Sequence, residues 1–182
     1  AGDYQFSEFI NGMAERLSSG ELDILLIPMG EHETVDELQV FRRLAQSRRV
    51  DAVVIHSLVP DDPRIALLDR LKIPFIVHGR SLTTVPHAWL DIDNEAVTRR
   101  ATDHLLDLGH RRICLINGPD NYTFARDRDH GYRAALQARR IAYDETLVHH
   151  GTFSDETGFR FASTALSKQA RPTAFVAGSM MT

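Results

Sequence analysis

The chain carries one cysteine, Cys114, in 182 residues. That excludes an internal disulfide framework and suits a reducing compartment. It has no apolar run approaching the ~18 residues that a membrane-spanning helix needs. It has no excess of positive charge either. Lysine and arginine number 21 against 25 acidic residues, for a net charge of −4, so a basic face able to grip a phosphate backbone is not expected. No charged-then-apolar leader with a small-residue cleavage site opens the chain, which leads us to expect a cytoplasmic protein. Without export, the glycosylation-like triplet Asn121-Tyr122-Thr123 carries no meaning. No G-x-G-x-x-G, P-loop or G-x-S-x-G is present, so the usual fingerprints of dinucleotide binding, nucleotide phosphate binding and serine hydrolysis are missing. "HETVD" (His32–Asp36) imitates a zinc-protease helix but places Asp36 where the second histidine must stand. The nine histidines are scattered, and the adjacent His149 and His150 would point to opposite faces of a strand. No metal and no cofactor are expected. There is no repeat of fixed period and no low-complexity segment.

What is present is an alternation. Short apolar runs read as strands: "DILLIPM" (Asp23–Met29), "DAVVIH" (Asp51–His56), "PFIVHG" (Pro74–Gly79), "RICLING" (Arg112–Gly118), "LVHHGTF" (Leu147–Phe153) and "TAFVAGS" (Thr173–Ser179). Helix-length segments separate most of them. Leu38, Phe41, Leu44 and Ala45 make one helical face, Val97, Ala101, Leu105 and Leu108 a second, and Tyr132, Ala135, Leu136 and Arg139 a weaker third. Near-continuous apolar strands alternating with helices indicate an α/β fold with parallel sheets covered on both faces. Asp62 before Pro63 reads as an N-cap followed by a first-turn proline. Asn94-Glu95 opens another helix, and Ser154 before Asp155 and Glu156 a third. Gly109, after "DHLLDL", reads as a left-handed helix terminus, with His110, Arg111 and Arg112 beside the helix's free carbonyls. His87–Asp93 follows "PFIVHG" with no intervening helix and reads as a short crossover between two sheets. Two lobes are therefore expected, 1–92 and 93–182, and both ends of the chain read as cut.

The stretch "DNEAVTRRATDHLLDLGHRRICLINGPDNYTFARDRDHGYRAALQARRI" resembles the effector-binding core of the LacI/GalR (lactose-repressor) family of bacterial transcription regulators. The matching elements are Asp93-Asn94, Ala101-Thr102, His104-Leu105, Leu108-Gly109-His110-Arg111-Arg112-Ile113, Gly118-Pro119, Arg128, Gly131-Tyr132 and Ala135-Leu136. Gly151-Thr152-Phe153-Ser154, Gly158 and Pro172-Thr173-Ala174 follow downstream, and Arg49-Val50-Asp51-Ala52 and Ile73-Pro74 precede. The resemblance spans nearly the whole chain. It implies a two-lobed fold like that of type I periplasmic binding proteins, usually dimeric, that binds a small effector between its lobes. It also implies operator DNA as a partner, read by a separate helix-turn-helix headpiece not found in this sequence. Two positions depart from the family. Gly178-Ser179 stands where Asn-Asp is usual, and that aspartate commonly accepts hydrogen bonds from sugar hydroxyls. Val97 stands where many members have glycine.

The ends of parallel strands are where ligands bind in open α/β sheets, and the candidate residues lie there. Arg128 matches the family's ligand-contacting arginine and offers several fixed donors to vicinal hydroxyls. Its alternative is a solvated surface arginine between Asp127 and Asp129. As a ligand contact it stands at a cleft edge and not in the core, so its removal is expected to leave folding nearly unaffected. Phe153 offers an aromatic face to the C–H face of a sugar ring, or is ordinary core. Arg80 and His56 follow first-lobe strands and can donate to a hydroxyl, although His56 is as readily explained as a hydrogen-bonded strand end. Tyr4 and Phe6 precede the first helix and are candidates for the cleft wall, or belong to an exposed cut end. Ser179 is a candidate by position alone. His104 and Cys114 read as packing residues. The face Phe9, Ile10, Met13 and Leu17 either pairs two copies or packs on its own sheet.

Three function classes fit this reading unequally. The first is a ligand-sensing regulator core with a carbohydrate effector. The second is an exported sugar-binding protein of a transporter, with the same architecture. The third is an α/β enzyme, for which no nucleophile–base pair or cofactor fingerprint is found and which fold alone does not imply.

Overall fold

Five consecutive buried residues, Ile113-Cys114-Leu115-Ile116-Asn117, form one strand, and burial of every position means that both faces of its sheet are covered. The computed structural model describes residues 4–20, 22–27 and 37–179. The helices are α1 (Tyr4–Leu17), α2 (Glu37–Ser47), α3 (Pro63–Leu71), α4 (Asn94–Asp107), α5 (Thr123–Ala138) and α6 (Asp155–Leu166). The strands are β1 (Val53–His56), β2 (Phe75–His78), β3 (Ala88–Leu90), β4 (Ile113–Asn117), β5 (Val148–His150) and β6 (Ala174–Ala177). They form two three-stranded sheets, ordered β1-β2-β3 and β5-β4-β6, with every pairing parallel.

The described residues divide into two compact units, one of those up to His56 together with Pro60–Leu90, the other of Ser57–Val59 and those from Asp91 on. In the second unit the two faces of β4 serve two interiors. Ile113 and Leu115 join Leu106, Tyr132, Ala135, Leu136, Ala174 and Val176. Cys114 and Ile116 join Ala165, with Phe161, Ala162 and Phe175 against them. This is the alternation that a strand's period of two imposes. The Tyr132 hydroxyl, inside the first cluster, donates to Ile113 O at 2.8 Å, so its burial leaves no polar group wasted. Burial raises the pKa of the Cys114 thiol to about 11, which fits a packing role.

In the first unit the sheet alternates, with Val53, Ile55 and Val77 buried while Val54 and Ile76 on the opposite face are 42% and 41% exposed. β4 is covered on both faces, and the second face of β1 and β2 is covered in part, by α1. On that face His56 and His78 are register partners. Phe6 of α1 lies 4.9 Å from His56, and Phe9 stacks on His78 at 4.6 Å. Phe9 thus packs on its own sheet.

Three further expectations are corrected. Residues 23–27 of the run read as the first strand form no strand, and Leu25 and Leu26 are about half exposed. An apolar run becomes a strand only with a ladder partner, and none is found for it among the described residues; Pro28 and Met29 lie outside them, as does the "HETVD" stretch. The segment His87–Asp93 is more than a crossover, because Ala88–Leu90 pairs with β2 before the chain leaves the sheet. The face chosen for α4 is also wrong. Val97 and Leu108 are 53% and 64% exposed, and the buried stripe is Asn94, Thr98, Thr102 and Leu106. Threonine can take that place because its hydroxyl finds an acceptor on its own helix. Thr102 Oγ1 donates to Thr98 O at 2.8 Å.

The helix ends follow their sequence signals. Asp62 caps α3 by accepting from Arg64 N, Asp93 caps α4 by accepting from Ala96 N, and Ser154 caps α6 by accepting from Thr157 N. Gly109 has φ +92. Its N–H donates to Leu106 O and that of His110 to Leu105 O, the paired bonds of a Schellman terminus. Arg111 Nη1 donates to Leu106 O at 3.0 Å. The same two bonds end α5 at Arg140, donated by Arg140 N to Gln137 O and by Ile141 N to Leu136 O, but there φ of +56 is imposed on an arginine. A left-handed non-glycine residue costs about 1–2 kcal/mol. Arg140→Gly is therefore expected to raise stability by about 1 kcal/mol in urea melts, and a loss would show that the arginine side chain matters more than its backbone.

Candidate functional site

Glycines follow the carboxyl ends of β4, β5 and β6: Gly118, Gly151 and Gly178. Gly178 N donates to Ile116 O at 2.7 Å, and Gly151 N, just past β5, donates to Asn117 O at 3.1 Å. Asn117 is buried and ties the edge to α5. Its Nδ2 donates to Ala125 O at 2.7 Å, while its Oδ1 accepts from Gly118 N at 2.9 Å. A Cβ on Gly118 would sit 2.7 Å from the Phe124 ring and 2.8 Å from that of Phe153, and one on Gly178 would sit 3.3 Å from Phe153. The two glycines thus let two aromatic rings settle against the strand ends. Phe153, read as ending a strand, lies three residues beyond β5, in the turn before α6.

Arg128 projects from α5 into this edge. Its Nε donates to Asn94 Oδ1 at 2.9 Å and its Nη1 to Gly178 O at 2.8 Å. Its guanidinium carbon lies 5.0 Å from the Phe124 ring centroid and 5.8 Å from that of Phe153, within cation–π range. Burial lowers its pKa, and the charge of Asp91 opposes that shift; an arginine remains protonated nonetheless. Asp91 also holds Asn94, whose Nδ2 donates to Asp91 Oδ1 at 3.2 Å. Among the described residues Arg128 Nη2 has no acceptor. The alternative reading of Arg128 as a solvated surface arginine is corrected. It is half-buried, stacked and twice hydrogen-bonded to neutral acceptors. Ser179 is 6% exposed beside Gly178. Arg128, Phe153 and Ser179 therefore belong to one edge.

Sequence reasoning missed Asn94, Tyr122 and Phe124 as parts of this edge. Asn94 carried only a helix-start signal, and the rings of Tyr122 and Phe124 carried none. The adjacent histidines separate as a strand requires. His150 Nδ1 is 3.0 Å from Gly118 O, while His149 stacks on Phe161 at 4.9 Å.

The remaining candidates lie in the first unit. Arg80 is exposed and lies 4.8 Å over the half-exposed Trp89 ring. It lines a hollow of about 310 Å³ with Ser81, Thr83, Thr84, His87 and Trp89 among its walls. That hollow includes none of the residues around Arg128. His56 and Phe6 contact each other as described. Tyr4 opens α1, but its side chain is outside the described residues. Among the described residues no group of three or more histidine, cysteine, aspartate or glutamate side chains could hold a metal ion, and no helix is long and apolar enough to cross a membrane.

What this edge offers is one fixed cation, aromatic faces, a buried hydroxyl and backbone carbonyls, a donor and acceptor set suited to holding a polar ring compound. Among the described residues no nucleophile and base are arranged together in it.

Residues 3–181 match the family described as periplasmic binding proteins and the sugar-binding domain of the LacI family. The HTH-type transcriptional regulator AglR of Rhizobium meliloti is 40% identical over 97% of this chain and 49% of its own length. The HTH-type transcriptional regulator RafR of Escherichia coli is 32% identical over 94% of this chain and 49% of its own. Among solved structures, that of the transcriptional regulator CelR in complex with cellobiose superposes with a TM-score of 0.82 at 32% identity, covering 96% of this chain and 53% of that one. The chain spans about half the length of the curated relatives it matches. With its parallel α/β sheets and a match over nearly every residue, the chain belongs to the family of periplasmic binding proteins and LacI-type sugar-binding domains.

Proposed function

We propose that this chain is the effector-sensing core of a bacterial DNA-binding transcriptional regulator, a repressor, whose effector is a carbohydrate held at the β4–β6 edge. The observation that carries the reading is Arg128, a half-buried cation stacked over two rings with one nitrogen lacking an acceptor among the described residues. A guanidinium suits vicinal hydroxyls, and the rings suit the apolar face of a sugar. The bound cellobiose of CelR and the HTH-type regulators among the relatives support the same assignment, and favour a cytoplasmic regulator over an exported transporter component. No reaction is proposed for the site. The operator is read by a helix-turn-helix segment outside this chain, and the intact regulator is a homodimer. Effector shifts operator affinity only through its differential affinity for the regulator's two states.

Two measurements on the full-length protein test this. A sugar at a hundred times its dissociation constant is expected to add about 2.7 kcal/mol of stability, seen as a raised melting temperature. The same sugar is expected to release operator DNA in a gel-shift assay. A panel of mono- and disaccharides that moves neither would sink the proposal.

A further inference from the structure

Three rings follow one another along the edge. Tyr122 and Phe124 are 5.5 Å apart with planes at 17°, and Phe124 and Phe153 are 5.9 Å apart at 28°. Among the described residues no ring contact joins Tyr122 directly to Phe153, so Phe124 is the middle of a row. Arg128 lies over the Phe124 and Phe153 end. The Tyr122 end is different. All three residues are half-buried and keep some surface open to solvent, and the Tyr122 hydroxyl has no hydrogen-bond partner among the described residues.

Tyr122 is also a poor residue for its place. It occupies the N-cap position of α5 and makes no side-chain capping bond, where Ser, Thr, Asp or Asn is worth about 1 kcal/mol. Its ring stacks on Phe124 instead, a local preference set aside of the kind found at functional sites. Its backbone is fixed all the same, since its N–H donates to Pro119 O at 3.2 Å and its carbonyl accepts from Arg126 N at 3.2 Å. The ring is held in position with its polar end unused.

One pyranose covers about one aromatic ring, so a single sugar at Arg128 and Phe153 leaves the far end of the row empty. We infer that Tyr122 forms a second sugar subsite, and that the effector is a disaccharide or longer. One ring lies at Phe153 and Arg128. The next lies along Phe124 and Tyr122, with a hydroxyl meeting Tyr122 Oη. This rests on the carbohydrate reading above and adds chain length and a residue to it.

The test is titration calorimetry on the full-length regulator with glucose, galactose, maltose, cellobiose and melibiose. At least one disaccharide is expected to bind about tenfold or more tighter than either monosaccharide. Tyr122→Ala is expected to remove about tenfold from that disaccharide's affinity and to leave monosaccharide affinity unchanged, while Tyr122→Phe keeps most of the advantage. Monosaccharides binding as tightly as disaccharides, or a disaccharide advantage that survives Tyr122→Ala, would overturn the second subsite and leave the carbohydrate reading standing. Binding of none of the five sugars would overturn both.

Discussion

Replacing Arg128 by alanine is expected to weaken effector binding by ten- to a hundredfold and, separately, to destabilise the second unit by about 2–3 kcal/mol. The first figure follows from losing a charged hydrogen-bonding group, worth about 1.5–3 kcal/mol. The second follows from what Arg128 holds in the unliganded protein. Its Nε and Nη1 occupy Asn94 Oδ1 and Gly178 O, and Asn94 is only 3% exposed. Truncation leaves that buried amide oxygen without its donor and removes the link from α5 to α4 and to the end of β6. A buried acceptor stripped of its partner costs about 1–3 kcal/mol, and the guanidinium's packing over two rings is lost as well. In a chain of this size such a loss lowers the melting temperature by roughly 5–10 °C. Arg128→Lys separates the two effects, because it keeps the charge and loses the planar fork. Calorimetry below the melting temperature of each variant reads affinity, and thermal melting reads stability. Unchanged affinity in both variants would remove Arg128 from the site. Unchanged stability in Arg128→Ala would contradict the hydrogen bonds described here.

Gly131→Ala is expected to cost about 2–3 kcal/mol, the upper part of the range for overpacking. Gly131 lies in α5 where it crosses α4. A Cβ there would come within 3.0 Å of Arg99 N and Glu95 C and closer still to Glu95 O, and backbone cannot rotate away as a side chain can. In an open helix the same substitution would stabilise by about 1 kcal/mol, so even the sign distinguishes a tight crossing from a loose one. The clash acts beside Asn94, the residue Arg128 binds, and Arg128 lies one turn before Gly131 on α5. Pushing the helices apart therefore lengthens the Arg128–Asn94 bond. The double variant Gly131→Ala/Arg128→Ala is expected to lose less than the two single losses combined, the mark of shared interactions. Urea melts read all three, and a neutral or stabilising Gly131→Ala would show that α4 and α5 are not in backbone contact.

Local physics made part of this molecule legible from its residues. The Gly109 joint, the Asp62-Pro63 and Ser154 helix starts and the β4 run depend on neighbours within a few positions, so the chain itself spells them out. The buried face of α4 was not legible. Its Thr98 and Thr102 look polar, and only the bond from Thr102 Oγ1 back to Thr98 O shows how they can be buried, while Val97 and Leu108 look like core and are exposed. Residues 23–27 look like a strand because composition records β propensity and not the presence of a ladder partner. At the site, family resemblance pointed to Arg128 and Phe153. The acceptors of Arg128 lie 34 and 50 residues away in the chain, and no local pattern encodes partners at that separation. Tyr122 and Phe124 escaped notice for a related reason. A ring at a helix start has no meaning until Gly118 and Phe153 are brought beside it by the fold.

The central claim is that the β4–β6 edge of the second unit holds a sugar through Arg128. A crystal structure of the effector-binding core with the tightest-binding sugar tests it most directly. The account predicts a sugar hydroxyl within hydrogen-bond distance of an Arg128 nitrogen, with the apolar face of that sugar ring against Phe153 or Phe124. A sugar bound only elsewhere, with Arg128 still donating to Asn94 and Gly178 and touching no ligand atom, would contradict it.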